Sequence, residues 1–390
     1  MSKKVKVWGA VILVLIASLA AWSVVNHEVH RTTRSSVAPA KQRSTKAATP
    51  TWTAQKMAVD LDKSQAASLD DKMAQIRFVG SVLIVRHGKV MYEKQFGQSN
   101  AATKRQNRQD TAYPIDSIQK LATGALIMQQ VQKHRLSLDD HISRFYPTLP
   151  HANEITIRQM LDMTSGLHLA DPVGPTMVET DAEVVNYDLN HVTFDQNMYG
   201  KWHYAQVNYN LLAGVLMKIT GKSYQTLFEK QFVHRFGLQQ TVFMPSTDQH
   251  VAVAYEGNSA GDVDYGKAVV TPDAFWHDEL GTGRVAMSAR DLYTLISGVL
   301  QGKVISPAAV KTLYTSGSSS TYGGGTYNLY DAAVNHGLGY GYQAMSCVSK
   351  DGQDAVIMLG NSYRSDHSIK PFAEQLYIQL FLNNKNESQK

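Results

Sequence analysis

Asp116-Ser117-Ile118-Gln119-Lys120 opens an apolar run that continues through Leu121, Ala125, Met128 and Val131. Residues three apart share one face of a helix, so this Ser-x-x-Lys spacing sets the lysine amine beside the serine hydroxyl. The amino terminus of a helix also carries positive potential, which favours a serine alkoxide or an oxyanion formed there. Taken alone, the same four residues describe a capping serine and a solvated lysine. The residues after Lys120 argue otherwise. Leu121, Ala122, Ala125, Leu126, Ile127 and Met128 make the helix apolar on nearly every side, hence buried, and a buried lysine needs a partner.

A serine and a lysine need a third group to move the proton. Trp202-His203-Tyr204-Ala205-Gln206 offers Tyr204: a phenol held between serine and lysine can act as general base in acylation and as general acid to the leaving group. A third constellation is Val334-Asn335-His336-Gly337-Leu338-Gly339-Tyr340-Gly341-Tyr342. Gly337 and Gly339 allow close approach of backbone to a ligand, and edge N–H groups there could complete an oxyanion hole. As a dinucleotide fingerprint this stretch fails, because its glycine spacing is wrong and no helix follows. The fourteen histidines show no metal-ligand spacing, and no cofactor is implied. Tyr322-Gly323-Gly324-Gly325 lacks the Lys-Ser/Thr of a phosphate loop and reads as a turn.

Outward from the helix, Val79–Arg86, His87-Gly88 and Lys89–Gln95 read as a hairpin. Gln343–Ser349, a turn at Lys350–Gln353 and Ala355–Leu359 read as a second, followed by a closing helix over Pro371–Leu382 with Phe372, Leu376 and Leu380 on one stripe. Between them, from Ser117 to about Phe236, most segments carry helical patterns, one of them capped by Thr156. The order predicts an α/β fold: an antiparallel sheet built from both termini and flanked by helices, plus an all-α region inserted in it.

The chain's 390 residues, 43% of them hydrophobic, suffice for a substantial core. Lys3, Lys4 and Lys6 precede eighteen uncharged residues, Trp8 to Val25, so residues 1–30 are expected to be a membrane anchor or signal segment, the uncleaved anchor being the better fit to that length. Residues 31–60 read as a flexible basic linker and 61–390 as the hydrolytic body. The net charge of +5 belongs to the tail: residues 1–60 hold nine Lys/Arg and two Asp/Glu, leaving 29 and 31 for the rest. A near-neutral body argues against nucleic-acid binding, while the tail suits anionic lipid or wall polymer. Cys347, the only cysteine, permits no internal disulfide.

The motifs together resemble those of the serine β-lactamase-like hydrolases, the class C β-lactamase and penicillin-binding-protein group. Ser117-Ile118-Gln119-Lys120, Tyr204-Ala205-Gln206 and His336-Gly337 come in that family's order. Gly80–Val85 looks like its first core strand, Leu136–Asp140 like its post-helix loop, Ile155–Arg158 with Thr164–Leu167 like a family signature, and Gly283 through Ser288 to Asp291 like a helix start. The resemblance covers about residues 75–382. It implies a β-lactamase/transpeptidase-like fold with Ser117 as nucleophile, Lys120 as activating amine, Tyr204 as proton shuttle, and substrate contacts from Gln206, His336, Gly337 and Gly339. It also implies an oxyanion hole shared between the Ser117 N–H and a strand beginning near Gly339. Two departures stand out. Gln206 replaces the family's usual Asn, and His336-Gly337-Leu338 shifts the expected glycine by one residue. Divergent second and third motifs fit loss of peptide-carboxylate recognition, so the expected function is that of a cell-surface D-alanyl esterase of teichoic acid, on the extracellular face of the membrane. The alternatives are a D,D-carboxypeptidase acting on peptidoglycan and a non-catalytic wall-binding relative.

Overall fold

The computed structural model describes residues 63–170, 174, 177–258, 261–363 and 368–382, all within the unit Thr53–Lys390. The expected anchor and linker lie outside the described residues. Among those described, no helix is long and apolar enough to cross a membrane.

Seven antiparallel strands form the central sheet. They are β1 (Gly80–Arg86), β2 (Lys89–Phe96), β3 (Tyr322–Gly323), β4 (Thr326–Leu329), β5 (Ala332–Gly339), β6 (Tyr342–Ser349) and β7 (Ala355–Gly360), arranged β3-β4-β5-β6-β7-β1-β2. Both expected hairpins form. His87 and Gly88 both adopt positive φ, as a two-residue turn between twisted strands requires. The sheet does close across the chain ends: Gly80 pairs with Gly360 and Val85 with Ala355. The three strands β3 to β5 add an arm that the hairpin patterns did not announce, and β5 ends at Gly339 where the sequence suggested a beginning.

Side chains alternate between the two faces. Leu83, Val85, Ala333, Ala344, Val348, Ile357 and Leu359 turn towards the larger core, which holds the helices α2 (Gln119–Gln132), α3 (Val207–Thr220) and α4 (Ala289–Leu300). Val82, Ile84, Val334, Met345, Cys347, Val356 and Met358 face the second core, covered by α1 (Lys63–Gln75) and α5 (Ile369–Tyr377). The closing helix starts two residues earlier than expected and widens into a π turn over Ile378–Leu382. Burial on that side pushes the Cys347 thiol well up, leaving it inert.

In the inserted region Thr156 caps helix Ile157–Leu161 with a reciprocal bond from Gln159, and Ser288 caps α4 through the Asp291 N–H. Helix α2 is buried from Gln119 to Gln130, so its sequence could not tolerate the polar stripe of a surface helix.

Candidate active site

A single turn of 3-10 helix, Asp116–Ile118, leads into α2. It sets Ser117 at the sheet edge, half exposed, with Lys120 one turn deeper and 1% exposed. The Lys120 Nζ donates to the Ser117 Oγ at 2.9 Å. The Tyr204 hydroxyl, arriving from the loop before α3, donates to the same Oγ at 2.7 Å, and the Lys120 ammonium lies 5.2 Å from the centre of the Tyr204 ring. Serine, lysine and tyrosine thus meet at one oxygen, 87 residues apart in sequence at the widest. The loop bearing Tyr204 is held by the Thr164–Leu167 segment: His203 N–H donates to the Met163 carbonyl at 2.9 Å, and Ser165 Oγ donates to Asn208, whose amide donates back to the Ala205 carbonyl.

Strand β5 forms the opposite wall. Its close approach needs Gly337, where any Cβ would collide with the Ile115 carbonyl oxygen. The alternation of faces places Ala333, Asn335 and Gly337 towards α2, and Val334, His336 and Leu338 away from it. Asn335, buried, is therefore the β5 side chain on the nucleophile's face, while His336 projects over the other face towards Lys370 of α5. This corrects the expected third motif. The residue facing the nucleophile is Asn335, and the glycine at Gly337 follows two places later without any shift or bulge.

The backbone of β5 is equally informative. Tyr340 and Gly341, with φ of 52° and 82°, make a two-residue turn to β6; its flanking pair Gly339 and Tyr342 is hydrogen-bonded in such hairpins. Residues 335, 337 and 339 consequently address β6, and 336 and 338 address the open edge, since β4 pairs only as far as Val334. Ser117, at the start of a helical turn, has an N–H of the kind left without an intrahelical acceptor. Leu338, whose N–H addresses that edge, lines the same cavity as Ser117.

That cavity has a volume of about 290 Å³ and is lined by Ser117, Tyr204, Tyr322, Gly325, Tyr327, Asn335, His336, Leu338 and Lys370. Tyr322 packs edge-on against both Tyr204 and Tyr327. Of the expected turn Tyr322–Gly325, Tyr322 and Gly323 form strand β3 and only Gly324 and Gly325 turn, and that turn completes the site: Gly325 sits against the Lys120 backbone, where a Cβ would not fit. Gln206 is absent from the cavity wall and serves as the residue preceding α3 without a side-chain cap bond. Gly339 lies beside Asp116, away from the cavity. Lys370 brings a cation that no motif indicated, carried by a helix more than 160 residues downstream of Tyr204.

Behind the nucleophile, Asp116 adopts φ 44° and buries both carboxylate oxygens with no hydrogen-bond partner among the described residues. Burial, aided by nearby Glu279 and opposed by Lys120, holds its carboxyl well above the usual range. Burial also pushes His336 down to about 4, with Lys370 adding to the effect, so that its imidazole is neutral near pH 7. No group of three or more metal-ligating side chains occurs among the described residues. The arrangement is that of a nucleophile with two proton-handling groups in a partly open cleft, suited to acyl transfer.

A family model described as Beta-lactamase matches residues 66–369. Among curated proteins, a putative penicillin-binding protein, PbpX of Bacillus subtilis (strain 168), is 28% identical over 304 residues, covering 77% of this chain and 74% of the relative. A teichoic acid D-alanine hydrolase of Staphylococcus aureus is 26% identical over 252 residues, 63% of this chain and 60% of its own length, so the chain spans less than two thirds of that protein. Among solved structures, FmtA from Staphylococcus aureus superimposes with a TM-score of 0.71 at 22% identity over 80% of this chain and 86% of the other. The D-amino acid amidase from Ochrobactrum anthropi SV3 gives 0.69 at 20% identity, over 85% and 100%. At such identities the structural likeness speaks for the fold.

Proposed function

The chain belongs to the beta-lactamase family of serine hydrolases, and from that premise we propose that it removes D-alanyl groups from a cell-wall polymer, as a teichoic-acid D-alanyl esterase working through an acyl-enzyme on Ser117. The observation that carries this reading is the convergence of Lys120 and Tyr204 on one serine oxygen. In the first half-reaction the Ser117 Oγ attacks the ester carbonyl while the Lys120–Tyr204 pair takes the hydroxyl proton. The oxyanion collects between the N–H groups of Ser117 and Leu338. The C–O bond to the polymer breaks, and the same proton passes through Tyr204 to the departing alkoxide. In the second, water attacks the acyl-enzyme, its proton follows the reverse route, and D-alanine and free Ser117 result.

One consideration supports an ester substrate: a teichoic acid D-alanine hydrolase is among the relatives. The rival reading, a D,D-carboxypeptidase, draws on the likeness to a penicillin-binding protein and on Lys370, a cation able to meet a peptide carboxylate. Residues Trp8 to Val25 support a membrane anchor that presents the enzyme on the outer face.

The test is D-alanine release from D-alanylated teichoic acid and from D-alanyl-D-alanine muropeptides, with protein taken from the membrane fraction. The expected result is release from the polymer, lowered by several orders of magnitude in Ser117→Ala. Faster cleavage of the muropeptide replaces the esterase by the peptidase, and recovery of soluble protein beginning near residue 26 replaces the anchor by a signal peptide.

A further inference from the structure

The general acid must touch the oxygen that departs, so the leaving group lies on Tyr204's side of Ser117. The volume on that side is the cavity walled by Tyr204, Tyr322 and Tyr327, and its lining also takes in His336 and Lys370, which come from the face of the sheet away from α2. A cell-wall polymer that yields D-alanine from an ester could present many alcohols there. Three features of the cavity lining select among them. Lys370 is exposed, in the first turn of α5, where the positive end of that helix adds to its own charge. The His336 Nε2 is buried without a hydrogen-bond partner among the described residues, although buried polar atoms are ordinarily paired. Burial also keeps the Tyr327 hydroxyl protonated up to about 12, a donor at any physiological pH.

We propose that Lys370 and His336 form an anion subsite for the leaving group, and that its ligand is a phosphodiester flanking the esterified alcohol. The inference rests on the esterase reading and names the residues of this chain that would hold the phosphate beside the esterified alcohol. The position of the charge favours phosphate over carboxylate. In a D-alanyl-D-alanine peptide the carboxylate carbon stands two bonds from the departing nitrogen, close to the nucleophile. In an ester of glycerol phosphate the phosphorus stands four bonds from the departing oxygen when the ester is on the central carbon. The β5 side chain on the nucleophile's face is the neutral Asn335, and the cation comes instead from α5, the helix that covers the opposite face of the sheet. No bond is made or broken at the subsite; it holds the alcohol fragment while Tyr204 protonates it.

The experiment compares the full-length protein and its Lys370→Gln and Lys370→Arg variants on three substrates: the D-alanyl ester of glycerol 1-phosphate, the D-alanyl ester of glycerol, and a D-alanyl-D-alanine peptide. Wild-type kcat/KM is expected to favour the phosphate ester over the neutral ester by about fivefold, the scale of one exposed ion pair. Lys370→Gln should erase that preference through KM, lower the phosphate ester more than the neutral ester, and be rescued by Lys370→Arg. Equal effects on both esters, or none, overturn the subsite while leaving the esterase in place; loss confined to the peptide overturns the phosphate assignment. A binding readout separates this inference from the esterase reading. Glycerol 1-phosphate should move the His336 imidazole NMR resonance in the wild type and in Ser117→Ala, but not in Lys370→Gln, and an unmoved wild-type resonance overturns the proposal even if every ester is hydrolysed.

Discussion

Ser117 accepts hydrogen bonds from both Lys120 and Tyr204, so each of the two is useful only while the other holds the proton route open. Their single knockouts, Lys120→Ala and Tyr204→Phe, are expected to cost nearly as much as the double variant in kcat, as groups acting as a unit do. Additive losses in the three rates would show two independent roles. Asp116 poses a different question. Its folded carboxyl titrates above the ordinary aspartate value, so between about pH 4 and its raised pKa the folded state keeps a proton that the unfolded chain has lost. Stability therefore falls as pH rises through that window. Asp116→Asn preserves shape and tolerates positive φ, yet has no proton to lose. Its melting temperature should exceed that of the wild type by a margin that widens as pH rises from about 4 towards the raised pKa of the folded state. A constant margin would mean that the Asp116 carboxyl is ionised in the fold.

Elements meet at the site through backbone rather than through side chains. Strand β5 lies so near the Ile115–Asp116 turn that Gly337 admits no Cβ, whereas a Cβ on Gly339 would stand 3.2 Å from the Asp116 carboxylate, its nearest neighbour. Gly337→Ala must therefore displace β5 or the nucleophile turn, at about 1–3 kcal/mol of stability, and it should lower activity by more than its effect on melting accounts for. Gly339→Ala should be milder on both measures. Similar activity losses in the two variants would show that the β5–Ser117 spacing is not what matters. The stretch Tyr322–Gly325 works in the same way from the other side, Gly325 being seated on the backbone of Lys120. In a one-dimensional reading its three glycines are only a turn; their second duty depends on which helix lies underneath.

At the scale of the whole molecule, the catalytic sheet is completed by the carboxy-terminal part of the chain and shielded on one side by α5. Ile369, Leu376, Tyr377 and Phe381 are buried in the second core. At about 1.5–3 kcal/mol for each large side chain, their removal costs roughly 6–12 kcal/mol, the size of a domain's entire stability of about 5–15 kcal/mol. A chain ending at residue 368 is accordingly expected to lose its cooperative thermal transition along with its activity. A truncated protein that melts near the full-length temperature would show that α5 is peripheral. The same helix carries Lys370 to the cavity, so one element serves both the core and the site.

Local order in the chain was enough for the hairpins, for the buried character of α2 and for the Thr156 cap, because those depend on spacing and on residues within one or two turns. It was also enough to bring Ser117 and Lys120 together, since three residues on a helix fix their separation. Tertiary structure decided what spacing cannot carry. The face on which a β5 residue stands follows from its pairing with β6, which put Asn335 and not His336 beside the nucleophile. A one-residue difference in register exchanges every side chain between the faces of a strand. Gln206, two residues from Tyr204, was drawn to the helix start and away from the cavity. Lys370 entered from the opposite core, through contacts between segments remote in sequence, where no local pattern reaches.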